Sequence, residues 1–395
     1  MAFIFIFFYG SEKKAGSFLG GTLIPALVPG HYTVSITKPG YTTWTKNLEV
    51  KPGEVTAASA VQLWPHAPEQ TTLLRNNSAF WLTDAGFITR DASSTLHVSD
   101  RTLRGNEVVL SDATSPFVVT TDRGSFFWVD LNHPEGALNI NELFNSLHAR
   151  LLGVQRSSTT IEALDWHPFS EQKLVVQTQT ALYVLDMRRI ELERLLDAPL
   201  ITASAAVGNE VLAAGNGTFW AYHTITRTLS TTSIDTSERV RSIAGTADGS
   251  FALIVTDSGA LYMLNRTDRS LTLIAREVET FALSPEEKRL ALALRGGAVE
   301  LFFLGAMTSD TREQPGARIR FSTMLASSTD TLAWFKGFAN QLIALSGGSL
   351  TAIEADARAP QHAHTIATNV IQFAVDNTVF VLDRGGDLVA VDCDR

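Results

Sequence analysis

The stretch IVTDSGALYMLN, residues 254–265, decides the fold, because hairpins of the same design recur eight times along the chain. Each copy consists of an apolar strand, a tight polar turn and a second apolar strand. The other copies begin at Phe80, Val119, Val175, Ala213, Leu292, Ile343 and Phe380. Seven of the turns contain glycine, at Gly86, Gly124, Gly217, Gly259, Gly297, Gly348 and Gly386, and the eighth contains Thr180. Glycine indicates turns whose backbone angles other residues resist.

The spacing of the hairpins predicts an all-β chain folded as a β-propeller. Most steps between copies are about 40 residues, the period that is typical of propeller blades. The best copy runs from Ile161 to Leu196 and contains an inner strand, a hairpin and an outer strand. Continuous apolar runs such as Leu182-Tyr183-Val184-Leu185 indicate sheets that are packed on both faces. Eight hairpins predict eight blades, or seven if the first hairpin joins the last blade.

Two features depart from the regular repeat. Asp392 lies three residues from the C-terminus, so we expect the final blade to take its outer strand from residues near 71–83, which would cover an open edge. The step from Gly124 to Thr180 is too long by about 15 residues for the blade period. The excess has a helical pattern at residues 141–151, and we expect it to form a protruding loop.

Residues 1–65 have a different pattern. Pro-Gly turns at residues 29–30, 39–40 and 52–53 separate short strands in which apolar and polar residues alternate, which predicts a small antiparallel β-sandwich. The apolar opening AFIFIFFY, residues 2–9, is shorter than the roughly 20 residues that span a bilayer. It predicts a buried strand, with the remnant of a targeting segment as the alternative. We therefore expect a β-sandwich at 1–65, a linker at 66–70 and the propeller at 71–395.

The first unit resembles the PEGA domain, in the variant that precedes propeller-like repeats in small-genome bacteria. The resemblance rests on LVPGHYTV at 27–34, followed by Lys38, Gly40-Tyr41, Trp44, Lys46, Val50 and Gly53. It fails at the front, where Tyr9-Gly10-Ser11-Glu12 stands in place of the tetrad that names the family. The resemblance implies an extracytoplasmic protein with an N-terminal membrane anchor, so we expect further sequence upstream. The later blades resemble WD-repeat blades.

Bulk properties argue against nucleic acid as a partner. The net charge is −9, from 32 Lys and Arg against 41 Asp and Glu, and no basic stripe that would neutralise phosphates is present. Attachment to an anionic membrane surface through basic residues is disfavoured for the same reason. The single cysteine, Cys393, excludes an intramolecular disulfide.

No familiar catalytic, phosphate-binding or zinc motif occurs. Each conspicuous group has a structural interpretation that we favour over a functional one. His362 and His364 would be metal ligands or part of a solvated loop, and Asp383 and Asp387 a calcium loop or a hairpin turn. Four tryptophans would form a carbohydrate platform or be buried: Trp81, Trp128, Trp220 and Trp334. We favour a structural strand end for Asp165-Trp166-His167-Pro168, and packing of the small core for Tyr41 and Trp44. We expect no catalytic, cofactor-binding or metal-binding residues, and the pattern identifies no ligand-binding residue.

These observations predict a non-enzymatic, extracytoplasmic binding or scaffold protein that is tethered through an anchor missing from this chain. Its expected partner is a protein or a cell-envelope polysaccharide, bound at a propeller face or the central funnel. One alternative is a propeller enzyme of the lyase, lactonase or cyclotransferase type, with a polar site at the channel. Another is a cytoplasmic WD-like adaptor.

Overall fold

The computed structural model describes most of the chain, with gaps. The described residues are 3–8, 11–14, 16–18, 21–23, 27–53, 56, 61–82, 86–91, 96–100, 117–120, 126–129, 138–167, 170–234, 238–246, 248–307, 313–325, 328–335, 340–356 and 358–392. The chain has an all-β propeller fold and forms two compact units. One contains Met1–Phe80, Thr89–Thr95 and Glu279–Arg395, and the other contains Trp81–Ile88 and Leu96–Val278.

The N-terminal sheet has four antiparallel strands in the order β2–β1–β5–β6. They are β1 (Phe3–Phe8), β2 (Ser11–Lys14), β5 (Gly30–Thr37) and β6 (Trp44–Val50), and β3 (Gly16–Phe18) and β4 (Gly21–Leu23) form a separate hairpin. The prediction of a strand at the apolar opening is confirmed, since β1 pairs on both sides. Alternate residues of β5 and β6 form a small buried core, made of Tyr32, Val34, Trp44 and Leu48.

The propeller region of the described chain contains eight antiparallel sheets, two with three strands and six with four. The three-stranded sheets are β8 (Asn77–Leu82), β9 (Gly86–Asp91) and β10 (Leu96–Asp100), then β11 (Phe117–Thr120), β12 (Phe126–Val129) and β13 (Leu138–Asn139). The single helix of the described residues, α1 (Ile140–Leu152), follows β13 directly.

Three four-stranded sheets follow α1, and each matches one copy of the repeat. They are β14 (Ala163–His167), β15 (Ser170–Gln177), β16 (Ala181–Asp186) and β17 (Glu191–Asp197); β18 (Ala203–Val207), β19 (Glu210–Gly215), β20 (Thr218–His223) and β21 (Thr228–Ser233); and β22 (Val240–Gly245), β23 (Phe251–Thr256), β24 (Leu261–Asn265) and β25 (Leu271–Ala275). The middle strands are buried along most of their length, as their continuous apolar runs predict.

The remaining sheets continue the same order to the end of the chain. They are β26 (Val278–Leu283), β27 (Arg289–Leu294), β28 (Ala298–Phe303) and β29 (Arg318–Met324); β30 (Thr329–Trp334), β31 (Gln341–Ser346), β32 (Ser349–Glu354) and β33 (Ala363–Thr368); and β34 (Val370–Val375), β35 (Val379–Asp383) and β36 (Leu388–Asp392), with β7 (Glu69–Leu74) as the fourth strand. The predicted borrowing of an early strand by the last blade is confirmed, because β7 pairs with β36. β7 begins at Glu69, inside the segment that the sequence predicts as a linker.

Side chains of the first strands tie neighbouring sheets together within each unit. In the unit that contains residues 96–278, the Asp165 carboxylate accepts a hydrogen bond from the Ala206 N–H at 2.7 Å. In the other unit, the Glu279 carboxylate accepts one from the Thr329 N–H at 2.8 Å. β18 and β30 are edge strands of their sheets, so these carboxylates satisfy N–H groups that the sheets themselves leave unpaired. This role agrees with the structural interpretation of Asp165.

The turn glycines allow close backbone approach as well as unusual backbone angles. The Gly297 carbonyl accepts a hydrogen bond from the Leu325 N–H at 2.8 Å, and the carbonyls of Gly217, Gly259, Gly348 and Gly386 accept corresponding bonds. A β-carbon on Gly297 would lie 2.3 Å from the Leu325 carbonyl oxygen, whereas one on Gly296 would meet nothing within 4 Å. In these five hairpins, the glycine therefore marks the point where the turn contacts the segment that follows its own sheet.

The N-terminal sheet is fixed to the sheet of β30–β33 by a buried ion pair. The Lys46 side chain is fully buried, and its Nζ lies 2.8 Å from Glu354 Oε2. The same ammonium donates hydrogen bonds to the carbonyls of Arg358 and Pro360 at 2.8 and 2.7 Å. The Trp44 indole N–H donates to the other oxygen of Glu354 at 2.7 Å. A buried lysine requires such complete pairing.

Glycine 297 provides a test of the close-approach argument. Gly296→Ala should lower the free energy of unfolding by about 1 kcal/mol, because alanine disfavours the left-handed backbone conformation. Gly297→Ala should lower it by at least about 2 kcal/mol, because the methyl group also pushes Leu325 away and breaks the hydrogen bond between the Leu325 N–H and the Gly297 carbonyl. Both glycines have φ of +85°, so the difference between the two denaturant unfolding midpoints isolates the contact. Equal midpoints for the two variants would contradict the close contact between Gly297 and Leu325.

Lysine 46 tests the buried ion pair. Lys46→Met should lower the free energy of unfolding by about 3–5 kcal/mol, because it leaves the Glu354 carboxylate buried without a counter-charge. Lys51→Met removes an exposed lysine and should change stability by less than about 0.5 kcal/mol. Adding Glu354→Gln to Lys46→Met should recover part of the loss. Denaturant unfolding measures all three, and similar losses for both lysine variants would exclude a stabilising pair.

Candidate protein-binding groove

Local sequence signals define both ends of α1. Asn139 precedes the helix, and its side-chain oxygen accepts a hydrogen bond from the Glu142 N–H at 3.3 Å. Gly153 ends the helix with φ of +69°, and its N–H donates to the Arg150 carbonyl. The helical pattern predicted at 141–151 is confirmed, since α1 extends from Ile140 to Leu152.

The expectation that this segment protrudes is wrong. Ile140, Phe144 and Leu147 recur at helical spacing and are buried in one apolar cluster with residues of β15 and β16. One face of α1 therefore belongs to the core of the β14–β17 sheet. The length of the insertion indicates a loop, but the apolar side chains of α1 are buried only when the helix packs against the sheet.

A buried histidine adds polar contacts to this packing. His148 Nδ1 lies 2.8 Å from the Ser157 hydroxyl, and its Nε2 lies 3.0 Å from the Tyr183 hydroxyl. The Phe144 ring stacks on the imidazole with centroids 5.3 Å apart. Burial lowers the pKa of His148, and the positive charge of Arg194 lowers it further. The neutral imidazole therefore holds α1 and the segment after it on the sheet.

Beside α1 lies a cleft of about 360 Å³, which we call the helix groove. It is bounded by the C-terminal half of α1, by the turn that joins β16 to β17 (residues 187–190), and by Arg227 from the next sheet. Leu147, Val184 and Leu192 contribute apolar surface to its lining. Leu151 and Ile190 also line it and are 47% and 43% exposed. The groove thus presents apolar surface to solvent over a packed base.

Charged side chains surround this apolar surface. Four cations and three anions line the groove: Arg150, Lys173, Arg189, Arg227, Asp186, Glu191 and Glu193. Lys173 Nζ lies 3.4 Å from Asp186, and Arg227 lies 3.7 Å from Glu193. Burial raises the pKa of Asp186, but hydrogen bonds from the Arg189 N–H and Lys173 outweigh that effect and lower it overall.

The backbone at Ile190 is strained. Its φ is +55°, a left-handed conformation that β-branched residues rarely adopt. The equivalent turn residues of the next two sheets, Arg227 and Arg269, have φ of +55° and +63°. Among the eight non-glycine residues with positive φ in the described part of the chain, the other seven are Asn, Arg or Glu. The turn imposes the conformation, but it does not require isoleucine.

The structure separates the residues that the sequence singled out. His362 Nε2 lies 2.9 Å from the Thr45 carbonyl oxygen, and His364 Nε2 lies 3.0 Å from that of Pro65. Both side chains therefore contact the N-terminal region, and the expectation that they lie in a solvated loop is wrong. Burial lowers the pKa of His364, opposed in part by its hydrogen bond to Pro65.

The acidic and aromatic candidates have structural roles where they are described. The Asp383 carboxylate accepts a hydrogen bond from the Asp387 N–H at 2.9 Å, which closes the last hairpin turn. Trp220 and Trp334 are each 7% exposed, so burial is confirmed for these two. Trp44 is buried in the small core as predicted, and Tyr41 is half-buried beneath Lys38. The side chains of Trp128 and Trp166, and Cys393, lie outside the described residues.

A second cleft, of about 200 Å³, lies where the N-terminal sheet meets β32 and β33. Its lining includes Trp44, Trp64, Gln341 and Glu354. The indole N–H of Trp44 donates to Glu354, and that of Trp64 donates to Gln341 at 3.3 Å. These polar groups are already used to join the N-terminal region to the sheet of β30–β33.

Two features of the sequence mark the helix groove. The turn between third and fourth strands has an apolar residue, Ile190, where the next two copies have Arg227 and Arg269. The helical segment also carries Leu151 and Leu152 beyond its buried stripe. Both signals concern positions where an apolar residue does not serve the local fold.

The chain matches no protein-family model and no curated protein. Solved structures of low similarity include PorZ, an essential bacterial surface component of the type-IX secretion system of Porphyromonas gingivalis, with 13% identity and a TM-score of 0.44. That match covers 82% of this chain, which spans only 39% of the PorZ chain.

Two further structures have comparable scores. BBS1N, solved in complex with ARL6DN, has 13% identity and a TM-score of 0.46 over 72% of this chain and 89% of its own. A chain of the mitotic checkpoint complex has 11% identity and a TM-score of 0.48 over 70% and 87%. No argument about function follows from similarity at this level.

The described residues include neither a candidate membrane span nor a candidate metal centre. No helix among them is long and apolar enough to span a bilayer. No group of three or more His, Cys, Asp and Glu side chains among them is placed to hold a metal ion.

Histidine 148 predicts a pH dependence of stability. Because its folded pKa lies below the unfolded value of about 6.5, the unfolded chain binds the extra proton first, and the stabilisation is lost as pH falls below 6.5. His167 and His364 also have lowered pKa values and contribute to the same pH dependence. The contribution of His148 is therefore isolated by comparing the wild type with a variant that lacks this histidine. The melting temperature of the wild type should fall more between pH 7.5 and 5.5 than that of His148→Gln. Parallel curves would refute the assignment.

Proposed function

We propose that this protein is a non-enzymatic, protein-binding scaffold and that the helix groove is its docking surface. The observation that carries the proposal is Ile190, an exposed apolar residue held in a backbone conformation that disfavours it. Strain of this kind persists where it serves function and is offset elsewhere in the fold. Asparagine or glycine would serve the turn better, so binding accounts for the isoleucine where folding does not.

The dimensions of the groove suit a peptide segment. Its volume of about 360 Å³ is at the lower end of the roughly 300–1,000 Å³ that is usual for ligand pockets. A few side chains of an extended or helical segment would fill it. Of the two expected partner classes, protein is favoured over polysaccharide, because Trp220 and Trp334, which would have offered stacking surfaces for sugars, are buried.

We further propose an extracytoplasmic location and a membrane tether upstream of this chain. The support is the resemblance of residues 27–53 to the PEGA domain. Reading the gene upstream tests the tether: an apolar segment of about 20 residues would support it, and a coding sequence without one would argue for the cytoplasmic alternative.

Isoleucine 190 separates binding from folding. We expect Ile190→Asn to raise the melting temperature slightly, since asparagine tolerates the left-handed region, and to abolish binding of peptides selected on the wild type. The selection would use a random 12-residue phage-displayed library, with binding measured by fluorescence anisotropy. Ile225→Asn is the control, because Ile225 is 65% exposed but does not line the groove. Peptides that bind both variants equally would place the docking surface elsewhere.

A further inference from the structure

We infer that the helix groove recognises an acidic peptide segment with apolar anchor residues, whose carboxylates pair with Arg150 and Arg189 while an apolar side chain packs between Leu151 and Ile190. This inference rests on the proposed function and adds the chemistry of the partner.

The charges that line the groove support a carboxylate partner. Lys173 and Arg227 face carboxylates of this chain at 3.4 and 3.7 Å. Arg150 and Arg189 have no ion-pair partner among the described residues, although both line the cleft. Glu191 is the one lining carboxylate that is likewise unpaired there, so the groove keeps an excess of one positive charge. The whole chain has a net charge of −9, which makes a cationic surface the exception.

The two arginines also have suitable positions. Arg150 lies in the last turn of α1, where a positive charge is favoured by the helix dipole. Arg189 lies in the turn opposite, next to Ile190. The Asp186 carboxylate accepts hydrogen bonds from the Arg188 and Arg189 N–H groups at 3.1 and 3.0 Å, which fixes the backbone of that turn. Guanidinium groups held on two ordered elements can each form a bidentate pair with a carboxylate.

The apolar part of the partner follows from the exposed side chains. Leu151 and Ile190 line the groove, and Leu152 and Val154, each 49% exposed, continue the apolar surface at the end of α1. A phosphate-rich ligand such as nucleic acid would leave these side chains in water. An acidic segment with leucine, isoleucine or an aromatic residue would cover them, as apolar anchors do at protein interfaces.

The experiment begins with the same 12-residue library, selected on the wild type and counter-selected on Ile190→Asn. We expect the remaining peptides to be enriched in Asp and Glu together with large apolar residues. Arg150→Gln and Arg189→Gln should each weaken the best peptide about tenfold or more, and raising the salt concentration should weaken wild-type binding. Arg188→Gln is the matched control, because Arg188 is exposed in the same turn but does not line the groove.

Charge reversal gives the decisive comparison. The double variant Arg150→Glu with Arg189→Glu should reject the acidic peptide and accept the same peptide with lysine in place of its acidic residues. Peptides that depend on Ile190 but lack acidic enrichment, or that tolerate both arginine substitutions, would overturn the inference and leave the proposed function standing. Absence of any peptide that depends on Ile190 would overturn both.

Discussion

The pairing of β7 with β36 is the constraint on which the last blade and the placement of the N-terminal sheet depend. β34, β35 and β36 supply three strands of the final sheet, and without β7 the outer edge of β36 could pair with other molecules. β7 covers that edge from Leu74 opposite Leu388 to Glu69 opposite Asp392. Because β7 begins at Glu69, the segment before it lies close to the propeller strands, where the Pro65 carbonyl oxygen accepts a hydrogen bond from His364 Nε2 at 3.0 Å. The pairing of this early strand with the last sheet therefore also positions the first residues of the chain.

The contact of the N-terminal sheet is then made specific by polar groups that can be satisfied only together. Lys46 and Glu354 are both buried, and neither would tolerate burial alone. Trp44 links the small apolar core to the same carboxylate. Apolar packing alone would allow several orientations, whereas an ammonium with three fixed acceptors allows few. The ion pair thus selects one arrangement of the two sheets within their unit.

The helix groove arises where the repeat is interrupted. A regular blade has no helix, and α1 exists because residues 140–152 carry an apolar stripe and caps at both ends. Packing of that stripe leaves Arg150 and Leu151 beside the turn of residues 187–190, and a cleft results. The surrounding blades supply a rigid base, so the strained Ile190 can be maintained without loss of the fold.

The sequence by itself determined the all-β repeat, the turn positions, the opening strand and the borrowing of a strand by the last blade, because period-2 alternation, glycine turns and repeat length are local properties. It also indicated α1 from helical spacing. Only the tertiary structure decided that α1 packs instead of protruding, that His362 and His364 contact the N-terminal region, and that Lys46 pairs with Glu354 across 308 positions of sequence. The sequence marks Ile190 and Leu151 as unusual apolar residues, but it does not show that they share a groove. Arg150 and Ile190 come together only because a helix packs on a sheet, and a local pattern does not show which distant side chains share a surface.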